Sequence, residues 1–184
     1  MRLLVGITGA SGVIYGVRLL EMLKDVGVET HLIISKAGEM SLAYELKLSI
    51  KELQKKADYH YPQHDVGASC ASGSFLCDGM IVAPCSMRTL SELAHAISSN
   101  LLTRAGDVCL KERRKLVLLT RETPLNLAHI ENMAKVTRMG GIIAPPVPAF
   151  YSNPKTLEDM IDHSLARVLD LFDLDSSKAV RWRA

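Results

Sequence analysis

Arg2 to Gly12 reads RLLVGITGASG. A short apolar run from Arg2 to Thr8 passes directly into glycine-rich sequence, and beyond it Val13, Val17, Leu20 and Leu23 recur at helical spacing. Strand, tight loop and helix therefore follow one another. Gly27 closes the helix, and Glu29 to Ser35 (ETHLIIS) supplies a second β-rich run, which completes a βαβ unit. Such a unit implies parallel strands.

The alternation continues along the chain. Gly79 to Ala83 (GMIVA) reads as a buried strand ahead of a helix from about Met87 to Ile97, and Lys115 to Thr120 (KLVLLT) reads as another strand. Pro124 opens a helical segment reaching about Arg138, and Gly141 to Ala144 is a short last strand. From Thr156 to Phe172, the residues Leu157, Ile161, Leu165, Val168 and Phe172 share one helical face, with Thr156 and Asp159 at capping-box spacing. The pattern predicts an α/β fold: a doubly wound, mainly parallel sheet with helices on both faces, Rossmann-like or flavodoxin-like. Ligands of such sheets sit beyond the carboxyl ends of the strands. The loop-rich stretches Tyr61 to Phe75 and Pro145 to Pro154 are expected to border that site. A chain of 184 residues, 48% hydrophobic and 23% charged, suits a single domain over 1–184, ending in the helix at about 156–172 and a short tail.

Composition narrows the function classes. A net charge of +2 and a pI near 8.3 lack the cationic excess of a general nucleic-acid binder. Apolar stretches are broken by glycine, proline and polar residues, so no membrane span is expected. Cys70, Cys77, Cys85 and Cys109 form no CxxC pair, and the N-terminus lacks the succession of a signal peptide. A soluble cytoplasmic protein with free thiols is the expectation.

Two segments carry phosphate-binding character. Gly6 to Gly12 (GITGASG) lies between strand and helix, where backbone N–H groups and the Ser11 hydroxyl can meet a phosphate. It is neither a GxGxxG fingerprint nor a Walker A loop, and it fits equally a tight turn with Ser11 as N-cap. Ala83 to Thr89 (APCSMRT) repeats the logic with Ser86, Arg88, Thr89 and free helix N–H groups, or else is ordinary capping by Ser86. Two anion sites suggest a phosphorylated ligand. His60 and His64 have HxxxH spacing, but Pro62 between them argues against a helix that would align two metal ligands.

Taken with ASGS at Ala71 to Ser74, RAGDVCLKERR at Arg104 to Arg114, TRETP at Thr120 to Pro124 and PPVPAFY at Pro145 to Tyr151, these segments resemble the UbiX-like flavin prenyltransferases over nearly the whole chain. The resemblance implies FMN as cofactor and co-substrate, contacted by Gly9, Ala10, Ser11, Ser35, Ser86, Met87, Arg88, Thr89 and Arg121. It implies dimethylallyl monophosphate as prenyl donor, its phosphate held by Ser72, Arg104, Lys111, Tyr151 and Arg167. Those five are far apart in sequence, so the pocket must form in the fold or between subunits. Ser11, Glu45 in AYEL and Glu122 beside Arg121 are implied as catalytic, Ser11 and Glu45 relaying protons and Glu122 supporting positive charge on the prenyl fragment. Tyr44 departs from the small or polar residue associated with its position.

The family reaction would add a fourth ring to reduced FMN, giving prenylated FMN for a UbiD-like decarboxylase. No aspartate-rich DDxxD motif is present, so a metal-independent reaction is expected. Family members assemble as homo-oligomers, expected here as dodecamers, and Pro145 to Phe150 could serve subunit packing. Two alternatives stand beside this reading. One is an FMN-dependent cysteine decarboxylase, which should carry a PxMN-type loop where this chain has PCSM. The other is a non-catalytic FMN-binding subunit of an aromatic acid decarboxylase.

Overall fold

Alternation along each strand decides the architecture. In β1 (Arg2–Ile7) the side chains of Leu3, Val5 and Ile7 enter one apolar cluster, while Leu4 enters another. The same division runs through β2 (Glu29–Ile34), β4 (Gly79–Cys85) and β5 (Lys115–Thr120), whose residues are almost all buried. Strands buried on both faces need helices on both faces. The computed structural model, which describes residues 1–176 and 180–182, supplies them.

On one face α1 (Ile14–Asp25), α2 (Lys36–Leu46), α3 (Ile50–Gln54) and α7 (Leu157–Asp170) contribute Leu19, Leu23, Leu42, Leu53, Leu165 and Leu169. On the other, α4 (Met87–Ala94), α5 (Leu101–Lys111) and α6 (Leu127–Arg138) contribute Leu90, Leu93, Leu102, Ala105 and Val136. With β3 (Tyr59–Pro62) and β6 (Ile142–Ile143), six strands form one sheet among the described residues, in the order β3-β2-β1-β4-β5-β6. All five pairings are parallel. This is the Rossmann order, and its direction of winding reverses between β1 and β4.

Several boundaries differ from those expected, each for a local reason. The helix expected from Pro124 begins at Leu127, because a cis Thr123–Pro124 bond and a cap by Asn126 on His129 N precede it. The helix expected to reach Ile97 ends at Ala94, and Ala96 turns the chain with a left-handed φ of 54°. The last strand is reduced to Ile142–Ile143. Thr156 and Asp159 do form a capping box at the start of α7. The stretch from Tyr61 onward, expected as loop, starts inside β3, and an edge strand tolerates Pro62. No helix among the described residues is long and apolar enough to cross a membrane.

Candidate active site

The loop after β1 is fixed from three directions. Gly9 lies against the first turn of α2 so closely that a Cβ there would fall on the Cβ of Ala37. Gly12 has φ 96°, a conformation that costs glycine little. The Glu45 carboxylate, from the last turn of α2, accepts hydrogen bonds from Gly12 N at 2.9 Å and Val13 N at 3.0 Å. Glu45 thus supplies the negative charge that a helix N-terminus favours, and α1 has no side-chain cap of its own. Ser11 is therefore not the N-cap that its position allowed. It is exposed, and its carbonyl accepts from Arg121 Nε at 3.2 Å, which draws the end of β5 to this loop. Ser11, Glu45 and Arg121 come together here, and neighbouring Glu122 accepts from Thr123 N at 3.0 Å.

Beside that loop, at the carboxyl ends of β1, β2 and β4, lies a cleft of about 560 Å³. Gly9, Ser35, Ser86, Arg88 and Thr89 line it, together with Lys36, Gln63, His64 and Asn100. Three helices start at its wall. Ser35 caps α2 by accepting from Gly38 N at 3.0 Å, Ser86 caps α4 through Thr89 N at 3.3 Å, and Asn100 caps α5 through Thr103 N at 3.1 Å. First-turn N–H groups have no carbonyl within their own helix, so each terminus offers donors and a partial positive charge to an anion.

The central strand holds two of these caps in register. Ser35 N donates to Ile7 O at 2.9 Å, and Ser86 N donates to the Thr8 hydroxyl at 2.8 Å. That hydroxyl donates in turn to Pro84 O at 2.7 Å, just after the cis Ala83–Pro84 bond. Arg88 is paired with Glu92 at 2.9 Å, and Glu92 also accepts from Ser99 Oγ. Met87 stands next to Ser86 in the first turn of α4, and Ala10 is buried behind the first loop.

The five residues expected to hold the donor phosphate fall into two groups on opposite faces of the sheet. Arg104 and Lys111 are seven residues apart on α5, close to Ser72: Arg104 Nε donates to Ala71 O at 3.0 Å, and Gly73 lies against Lys111 and Glu112. At about 1.5 Å per residue, Lys111 stands about 16 Å along the helix from Asn100 and hence from this protomer's own cleft. Tyr151 and Arg167 line a separate hollow of about 260 Å³ on the α7 face, with Pro145, Pro146 and His163. Each cation has a carboxylate neighbour: Arg104 with Asp107 at 2.8 Å, Lys111 with Glu112, and Arg167 with Asp170. The Lys111 hydrogen bond holds the Glu112 carboxyl below its ordinary range.

A family model described as Flavoprotein matches residues 1–174. Flavin prenyltransferase UbiX of Neisseria meningitidis serogroup B is 54% identical over 182 residues, which are 99% of this chain and 96% of that protein. The chain belongs to the UbiX flavin prenyltransferase family. Among solved structures, AnUbiX (PadA1) in complex with FMN and dimethylallyl pyrophosphate superposes with a TM-score of 0.98 at 47% identity, covering 100% of this chain and 97% of that one. A dodecameric FMN-dependent UbiX-like decarboxylase from Escherichia coli O157:H7 does so with 0.97 at 46% identity, covering 100% of both.

Within this UbiX chain, Lys36, Gln63 and Asn100 line the cleft without having been singled out from the sequence, and His64, weighed there only as a metal ligand, lines it too. Asn100 carried a readable sign, since Asn100 and Thr103 form a capping box. Lys36 could have been inferred from its place after Ser35. Gln63 and His64 fall in the stretch Tyr61 to Phe75 that was expected to border the site, and they reach the cleft because β3 pairs with β2 and delivers the following loop there.

Proposed function

We infer that this chain transfers a dimethylallyl group from an allyl phosphate to reduced FMN. The observation that carries the reading is the convergence of three capped helix N-termini, with the Ser35, Ser86 and Thr89 hydroxyls, on one cleft at the reversal point of the sheet. Such donors fit the dianionic phosphate of FMN, and a cleft of about 560 Å³ bordered by the Gly9–Ser11 loop gives its ring a wall without bulky side chains. Ser35, Ser86, Met87, Arg88 and Thr89 hold the phosphate end, while Gly9, Ala10, Ser11 and Arg121 border the ring. Bound and reduced, FMN supplies the electron-rich nucleophile.

Breaking an allylic carbon–oxygen bond puts negative charge on the departing phosphate and positive charge on the prenyl fragment. Arg104, Lys111 and Arg167, with Ser72 and Tyr151, draw off the negative charge. Because one protomer holds these groups on opposite faces of its sheet, the pocket is completed between copies of the chain. Exposed Val147 and Phe150 in the proline-rich loop support such contact, and a dodecamer is the assembly proposed. The ion pairs that hold the cations in the protomer are half-buried or exposed, where such pairs are worth on the order of 1 kcal/mol each, so a phosphate dianion can replace their carboxylates. Glu122 faces the positive fragment, Ser11 and Glu45 move protons at the ring, and the released phosphate can accept one. The product, prenylated FMN, would pass to a UbiD-like decarboxylase in the cytoplasm.

The test is an anaerobic incubation of the protein with reduced FMN and dimethylallyl monophosphate, followed by mass spectrometry of the released flavin. A flavin heavier by one five-carbon unit is expected, and the diphosphate ester run in parallel defines the donor. Unmodified FMN with either ester would overturn the reading in favour of a binding subunit.

A further inference from the structure

Arg18, in the second turn of α1, reaches across to α7. Its Nε donates to Asp162 Oδ1 at 2.7 Å and its Nη2 to Asp162 Oδ2 at 3.0 Å, so guanidinium and carboxylate meet at two points. The remaining nitrogen, Nη1, donates to Glu21 at 2.6 Å, and Lys56 holds Glu21 from the far side at 2.7 Å. Asp162 is buried, which withdraws its charge from water. The Arg18 fork is thus held in place before it meets α7.

Both helices carry parts of the site. α1 is seated on the central strands at Gly16, where a Cβ would lie 2.4 Å from Ala83 O, and Glu45 binds the N–H groups of Gly12 and Val13 just ahead of its first turn. After Asp162, α7 presents His163, on which Tyr151 rests edge-on with ring centres 5.5 Å apart, and then Arg167. Arg167 stands about 7.5 Å along the axis from Asp162 and about 140° around it. One side of α7 therefore pairs with α1 while another lines the Tyr151 hollow, and a turn of the helix that alters one alters the other.

The apolar contacts of α7, made by Ile161, Leu165, Ala166 and Leu169, are non-directional and tolerate a small turn or slide. A planar two-point pair does not tolerate one. Such a buried pair adds little net stability, because the loss of water offsets the attraction of the charges, and fixing a register is the use that its geometry suits. We propose that Arg18 and Asp162 are positioning residues, which set α7 against α1 so that Arg167 and Tyr151 face the allyl phosphate.

The identity of that ligand rests on the proposed function, and the inference extends the reading to two residues that line neither the cleft nor the hollow. Breaking the pair leaves Arg167 on its helix but lets the helix turn, so the guanidinium loses its aim. None of the residues lining the FMN cleft lies on α7, so that cleft keeps its walls. Loss of ester affinity without loss of flavin affinity follows. A bridge that only stabilised the fold would leave both unchanged.

The experiment titrates dimethylallyl monophosphate into the FMN-loaded full chain by calorimetry, with the FMN left oxidised so that no transfer occurs, and measures FMN affinity on the same proteins. R18K keeps the charge but offers one point of contact in place of two. R18K and D162N should each weaken ester binding at least about tenfold while FMN affinity changes by less than about threefold. Because the effect passes through Arg167, R18K/R167A should bind the ester no worse than R167A alone. Full ester affinity in either R18K or D162N, equal losses for ester and FMN, or losses from R18K and R167A that add would each overturn the inference. If D162N does not fold, R18K and its double variant decide. Additive losses in a chain that makes prenylated flavin would refute the positioning role alone, and non-additive losses in a chain that makes none would remove the proposed function alone. An unaltered chain with no affinity for the ester would overturn both.

Discussion

Replacing Thr8 with valine keeps the shape of a side chain that is 1% exposed and deletes one hydroxyl. Two hydrogen bonds go with it, one donated to Pro84 O at 2.7 Å and one accepted from Ser86 N at 2.8 Å. Pro84 O keeps a partner, because Thr8 N also donates to it at 3.2 Å, so that loss costs about 1 kcal/mol. Ser86 N loses its acceptor in a half-buried position, and a stranded donor costs about 1–3 kcal/mol. The sum is about 2–4 kcal/mol. With a urea slope of about 2 kcal/mol per molar, the unfolding midpoint should fall by about 1–2 M. The same bond holds the cap of α4 against the central strand, so FMN affinity should fall about tenfold, equivalent to about 1.4 kcal/mol of lost positioning. Urea unfolding and FMN fluorescence titration read the two effects, and Thr8→Ser, which restores the hydroxyl, should recover most of both. A valine variant that unfolds at the urea concentration of the unaltered chain and binds FMN equally well would refute the reasoning.

Glu45→Gln replaces the anionic cap on Gly12 and Val13 with a neutral one, which should cost about 1 kcal/mol of stability in thermal unfolding. It should leave FMN binding largely intact while slowing formation of the new ring, and unchanged turnover would remove Glu45 from the reaction. Lys111→Ala and Arg167→Ala should each raise the KM for the allyl phosphate at least tenfold, and mixed oligomers of the two variants should regain low-KM activity at sites that draw the intact residue from each. No recovery on mixing would place the pocket within single copies. Acid should weaken the fold through several depressed carboxyls: Asp159, held by the N–H groups of Lys155 and Thr156; Glu52, held by Ser49; and Asp170, held by Arg181. A depressed group contributes stability above its unfolded value, about 4 for these residues, and loses it as pH falls through the folded value. The melting temperature should thus be flat above about pH 5 and fall below about pH 4, with a shallower fall in Asp159→Asn.

Legibility in the sequence followed punctuation. The strand, glycine loop and helix at Arg2–Asp25 could be read because apolar runs there end abruptly in Gly9 and Gly12, and Ser35 and Ser86 stand where strands give way to helices. β3 escaped because Tyr59–Pro62 is an edge strand, exposed or half-exposed throughout, so it lacks the apolar period that marked its neighbours. α5 escaped as an element because its start lies in the polar run Ser98 to Asn100, although its segment Arg104 to Arg114 carried part of the resemblance. That Glu45 binds the loop holding Ser11 depends on where α2 ends relative to α1, which no local pattern records. The split of the proposed donor residues between two faces is also a property of the sheet, since a resemblance in sequence implies a phosphate pocket without saying how many chains build it.

Arg104, Lys111 and Arg167 each stand beside an acidic residue of their own helix or its end. Bare, the three would make surfaces that push sister subunits apart and gather salt ions from solution. Shielded as they are, they would let the proposed assembly close around its pockets and release full charge only to a guest with two negative charges to offer.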